Sequence, residues 1–200
     1  SGQLAVYYDS AGLQYDGAGI ESAKLDIRRI PVRHHTGIFH PKNIMLLCEE
    51  IDKNGPEVKT KKLIVSCMSA NLTRAGWWEN VEACHTEEIY EGEKSRVRKD
   101  LMLFINKLIS MSDAADNHST LRLIHEFLQK ESGQAYKKSS QGAFKTHFWT
   151  GKESFIDFLE SVVGDGLTGS YLEIISPYFD NGGNLKPLTA LMKFVCPAET

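Results

Sequence analysis

The chain has 200 residues, 42% hydrophobic and 24% charged, and a formal net charge of −3. These values exclude a disordered or collagen-like polymer and fit a soluble globular chain, long enough for one core or one core and the start of another. There is no whole-chain basic excess, so a nucleic-acid partner would have to be met by a local cationic cleft rather than by global attraction.

Leu4 to Tyr8 predicts a short strand, followed by a Gly/Asp-rich loop over 12–19. Lys24 to Val32 alternates in part and predicts a second strand. Asn43–Cys48 and Leu63–Cys67 are apolar runs of buried-strand length. The polar stretch 52–62 between them, with Asn54-Gly55-Pro56 as turn signal, predicts a long hairpin with a mobile tip. Ser69 to Trp78 reads as a loop or short helix, and Val81 to Ile89 as a further strand. From Ser95 to Met111, Val97, Leu101, Phe104, Ile105, Leu108 and Ile109 fall at helical spacing. Leu121, Ile124, Phe127 and Leu128 mark a second helix, and 137–141 a polar loop. Thr150 to Glu153 has the pattern of a capping box. It opens a helix with Phe155, Phe158, Leu159 and Val162 on one face, ended by the glycines from Gly164 to Gly169. Tyr171 to Ser176 predicts a strand halted by Pro177. The expected class is α/β, a mixed β-sheet flanked by helices.

Cys48, Cys67, Cys84 and Cys196 form no Cys-x-x-Cys pair. The expectation is buried, reduced thiols and a cytoplasmic location. No stretch approaches the roughly 18 consecutive apolar residues of a membrane span, and no signal peptide opens the chain. The first strand starts almost at Ser1 and the C-terminus has no clear stop, so a fragment of a longer protein is expected. His34 and His35, adjacent on an extended segment, face opposite ways and chelate poorly. No metal and no cofactor are expected.

Two segments carry chemistry. In the first, an extended Pro41 turns His40 and Lys42 to the same side. An ammonium on a sheet face is costly unless an anion pairs with it, and a phosphate is such an anion. The second runs from Ser66 to Glu82. It supplies an amide (Asn71), hydroxyls (Ser69, Thr73) and, on one face of the next strand, Asn80 and Glu82. Phosphoryl transfer needs donors on the non-bridging oxygens and a positioned nucleophile. Glu82 suits the orienting of a histidine. Arg33, with Arg28 and Arg29 before it, and Arg74 are candidates for a substrate-binding rim. Trp77 and Trp78 either stack on a substrate base or pack a ring against the sheet. The lysines at 59, 61, 62, 137 and 138 read as solvated loops.

His40-x-Lys42, then Ser69-Ala70-Asn71, then Asn80-x-Glu82 resembles the first half of the phospholipase D superfamily. Asn80 and Glu82 lie nine and eleven positions beyond Asn71, which fits the family spacing. The style is closest to bacterial phospholipase-D-like nucleases and tyrosyl-DNA phosphodiesterase. The specific motifs lie within 24–89, and a looser likeness covers 145–180. Many members carry Asp five residues after the Lys; here that position is Leu47, which favours a nucleic-acid phosphodiester over a lipid.

The resemblance implies a metal-independent phosphodiesterase acting on nucleic acid through a phosphohistidine. His40 would be the nucleophile, Lys42 and Asn71 the phosphate clamp, Glu82 the carboxylate that orients a histidine, and Ser69 and Asn80 supports. Arg74, Trp77 and Arg33 would meet substrate. Residues 1–150 would be the first half and 151–200 the start of a truncated second half. The chain has one His-x-Lys, so the second would come from a missing C-terminal segment or a homodimer mate. No membrane partner is implied. The alternatives are a non-catalytic nucleic-acid or partner-binding module with a relic half-site, and a lipid phosphodiesterase.

Overall fold

The computed structural model describes residues 4–11, 27–34, 37–51, 55, 58–112, 118–131, 146–174 and 185–196. The expected loops at 12–19 and 137–141, and most of the hairpin tip, lie outside them. The chain divides into two compact units, Ser1–Thr146 and His147–Thr200. Its class is mixed α/β, with a two-stranded and a three-stranded sheet and helices beside them.

In the first unit, β1 (Leu4–Asp9) pairs in parallel with β2 (Ile27–Val32), Leu4 opposite Ile27 and Asp9 opposite Val32. Pro31 sits inside β2 and has no N–H to give a second neighbour. Among the described residues the one strand that β2 ladders with is β1, apart from a single bridge from Val32 to Ser112, so Pro31 stands on an edge, where proline is tolerated. The second sheet is antiparallel in the order β3 (Asn43–Ile51), β4 (Val58–Met68), β5 (Cys84–Tyr90). The hairpin expected from the two apolar runs is present. It is longer than they suggested, because the lysine-rich stretch after Val58 is strand rather than loop. Lys61 and Lys62 hold place there through cross-strand partners: Lys61 lies 3.9 Å from Glu49 and Lys62 3.0 Å from Glu88. The Glu88 carboxylate is held below its ordinary range by hydrogen bonds from Tyr90 and Lys62.

Leu63, Val65 and Ile89 share one face of this sheet and are buried. Ile30 and Val32 add the end of β2 to the core. The rest comes from two helices. In α1 (Arg98–Met111), Leu101, Ile105 and Leu108 recur at helical spacing and are buried, preceded by buried Val97. In α2 (Ser119–Glu126), Leu121 and Ile124 are buried, and a π-type turn over Phe127–Glu131 continues it with buried Phe127 and Leu128. Arg98 ties the two together: its guanidinium donates to the carbonyls of Leu128 and, at 2.9 Å, Gln129. The β1–β2 pair is fastened to the helices by Arg33 N–H to the Met111 carbonyl (2.9 Å), Arg28 to Ser119 (2.9 Å), and Tyr7 to the buried His118 (3.1 Å).

In the second unit, α3 (Phe155–Val163) is capped by Ser154, whose hydroxyl accepts from Asp157 N–H at 3.1 Å. The expected capping box at Thr150 is not used. Gly151 stands at φ +67°, outside the helical region, and turns the chain before the helix begins. Tyr171 to Ile174 is not a strand: it carries no ladder among the described residues, and Ile175 and Ser176 lie outside them. A helix absent from the sequence reading, α4 (Lys186–Val195), packs on α3. The four cysteines are free thiols, but none is buried; Cys84 and Cys196 are exposed. Cys48 and Cys67, within β3 and β4, are half-buried. Among the described residues no helix is long and apolar enough to cross a membrane.

Leu101 is fully buried while Leu103, two positions on, is exposed. Leu101→Ala should cost about 2–5 kcal/mol in urea unfolding. Leu103→Ala should stay within about 0.5 kcal/mol.

Candidate functional site

Antiparallel pairing brings the two chemistry-bearing segments to one end of the β3-β4-β5 sheet. The start of β3 lies opposite the end of β4 (Asn43 with Cys67), and the end of β4 opposite the start of β5 (Met68 with Cys84). Both ladders continue one step further: Met68 N–H donates to the Lys42 carbonyl (3.0 Å) and Ser69 N–H to the Ala83 carbonyl (2.9 Å). Residues 40–42, 69–71 and 80–83 are thereby neighbours.

His40, Lys42 and Asn71 touch. His40 Nε2 lies 3.2 Å from Asn71 Oδ1, and Lys42 Nζ lies 3.3 Å from Nδ1 and 3.1 Å from Nε2 of the same ring. In the tautomer with the proton on Nε2, the ring donates to Asn71 and Nδ1 accepts from the ammonium. Behind this trio Ser69, Asn80 and Glu82 form a second one. Ser69 Oγ donates to Glu82 and accepts from Ala83 N–H at 2.9 Å, and Asn80 Nδ2 donates to Glu82 at 3.4 Å. Glu82 was expected to orient a histidine; its partners here are Ser69 and Asn80, not His40. Among the described residues no second histidine contacts His40: His85 meets Glu87 and Thr146, and His118 meets Tyr7.

The rim residues separate. Arg74 is exposed and paired with Glu79 at 2.8 Å. Arg33 is exposed after β2 and touches the fold through its backbone. Trp77 and Trp78 are both exposed, Trp77 less so than Trp78. Among the described residues no group of three or more His, Cys, Asp or Glu could hold a metal ion; His34 is described and exposed, His35 is not.

Two further residues shape the site. Asp9, at the end of β1, accepts from Phe39 N–H and so anchors the residue before His40. Its other oxygen accepts from Ala11 N–H at 2.7 Å, an Asx turn that could have been suspected from Asp9-Ser10-Ala11 alone. Gly76 is buried in the π-type turn Ala75–Glu79. A Cβ there would lie 2.5 Å from the Asn71 carbonyl oxygen and 3.0 Å from its nitrogen. The turn therefore rests directly on the backbone of Asn71. Thr73 secures it from both sides, its N–H on the Asn71 carbonyl (2.8 Å) and its hydroxyl accepting from Gly76 N–H (3.2 Å).

Comparison with protein-family models, curated protein sequences and solved structures found no significant match in any of the three.

Gly76→Ala should push Asn71 off His40, shifting the His40 ring-nitrogen resonances and destabilising the fold by about 1–3 kcal/mol. Gly55→Ala, with open space around it, should change neither. Burial pushes the Cys67 thiol above its ordinary pKa, with Cys84 adding to the effect. Thiolate is the reactive form, so less of Cys67 is reactive at a given pH. Its alkylation by iodoacetamide should trail that of exposed Cys196 and keep rising with pH after an ordinary thiol has levelled off.

Proposed function

We propose that the chain carries half of a phospholipase-D-type active site that cleaves nucleic-acid phosphodiester bonds through a phosphohistidine, within a phospholipase-D-like fold. The observation that carries this reading is the His40–Lys42–Asn71 cluster, in hydrogen-bond contact, at the spacing of the His-x-Lys and Ser-Ala-Asn motifs. His40 Nε2 attacks phosphorus. An incoming phosphate takes over the contacts that now tie up the ring: Lys42 turns to one non-bridging oxygen and Asn71 presents its amide N–H to another. Freed of them, the ring gives up its Nε2 proton to water and takes one on Nδ1, so the Nε2 lone pair faces phosphorus. The leaving oxygen takes its proton from an acid outside this cluster, and water then hydrolyses the phosphohistidine. Ser69, Asn80 and Glu82 hold the second segment in shape. No step calls on a metal, because the ammonium and the amide face the oxygen charge.

A second reading, favoured by the lack of any second histidine at His40 among the described residues, is a binding module that grips a phosphodiester without turning it over. In the first reading the other half of the active site would come from a further segment or a second copy.

Lys42→Ala and Asn71→Ala should each weaken vanadate binding by about tenfold, the worth of one charge-assisted hydrogen bond. In whichever assembly turns over bis-(p-nitrophenyl) phosphate, His40→Ala should lower the rate by at least about 10²-fold and remove the acid-labile phospho-enzyme. Turnover retained by His40→Ala would sink the nucleophile assignment. Robust turnover by a strict monomer would sink the half-site.

A further inference from the structure

The turn that rests on Asn71 ends in two adjacent tryptophans, Trp77 (47% exposed) and Trp78 (78% exposed). Their ring centroids are 6.1 Å apart with planes tilted by 37°, so the rings do not stack face to face on each other. Indoles dominate cores and interfaces, and a rigid pair left in water beside a polar site is suited to an aromatic partner. The pair is held relative to the phosphate clamp. Gly76 abuts the Asn71 backbone and Trp77 N–H donates to the Thr73 carbonyl at 3.1 Å. Leu72, Val81 and Ile38, exposed in the same three segments, make the surroundings apolar.

The charges around the site decide what kind of strand fits. Across 37–42 and 69–82 the two cations, Lys42 and Arg74, are matched by two carboxylates, Glu79 and Glu82. Arg74 is engaged with Glu79. These segments therefore offer one ammonium to one phosphate. A duplex turns its base faces inward and presents files of phosphates, and binding it takes several cations. An unpaired strand exposes base faces, and these stack on tryptophan whatever the sequence. We propose that Trp77 and Trp78 form a stacking platform for an unpaired base next to the phosphate held by Lys42 and Asn71, which makes single-stranded nucleic acid the substrate class of this site. The proposal rests on the phosphodiester reading above.

The test is fluorescence anisotropy with a labelled oligothymidylate and a blunt duplex of equal length, alongside vanadate binding, on the protein and its variants. The single strand should bind more tightly than the duplex. Trp78→Ala should weaken oligothymidylate binding by about tenfold and leave vanadate binding unchanged. Trp78→Phe, which keeps a ring face, should restore most of the loss. Equal affinity for the duplex, or an unchanged oligothymidylate affinity in Trp78→Ala while Lys42→Ala still weakens vanadate, would overturn the stacking platform and leave the phosphodiester reading standing. Vanadate binding untouched by Lys42→Ala would overturn both. Conversion of a dimer to a monomer by Trp78→Ala in sedimentation would mark the pair as a protein interface and also overturn it.

Discussion

Strand β4 is hydrogen-bonded along both edges, and the rest of the site depends on that. A strand with two antiparallel neighbours returns the start of one and the start of the other to its own end. Here those ends carry His40 and Lys42 on one side and Asn80 and Glu82 on the other, with Ser69 and Asn71 leaving β4 between them. Three segments spread over more than forty positions become one surface. Buried Leu63 and Val65 fix the register, because a slip by one residue would turn them into water and Lys62 and Ile64 into the core.

The polar groups at that end are arranged in two tiers. The front tier is an imidazole with an ammonium and an amide each in contact with it. The rear tier is a carboxylate taken up by a hydroxyl and an amide. The carboxylate is thus spent on architecture and does not draw on the front imidazole. Charge near the front tier is sparse: Arg74 is paired with Glu79, and the exposed side chains of Ile38, Leu72 and Val81 are apolar.

Much of this could be read in the sequence because it is local. The apolar runs of β3 and β4, the helical spacing of Leu101, Ile105 and Leu108, and the offsets from Asn71 to Asn80 and Glu82 are all periodicities of short range. What escaped is long-range or conformational. The parallel pairing of Leu4 with Ile27 spans a segment with no pattern of its own, and the reach of Asp9 to Phe39 cannot be seen in either residue. The shift of the helix cap from Thr150 to Ser154 depends on the positive φ of Gly151. The lysines of β4 looked like loop because their carboxylate partners lie across the sheet. Tyr171 to Ile174 has the composition of a strand, yet composition supplies no neighbour to pair with.

The contact between Gly76 and the Asn71 backbone has an optical consequence. Asn71 and the indoles of Trp77 and Trp78 are joined by one short, tightly packed turn, so displacement at Asn71 is transmitted to two emitters six and seven residues further on. Trp149, the third indole in the chain, belongs to the other compact unit. Emission from the turn would therefore respond to any ligand that displaces Asn71, with Trp149 as internal reference.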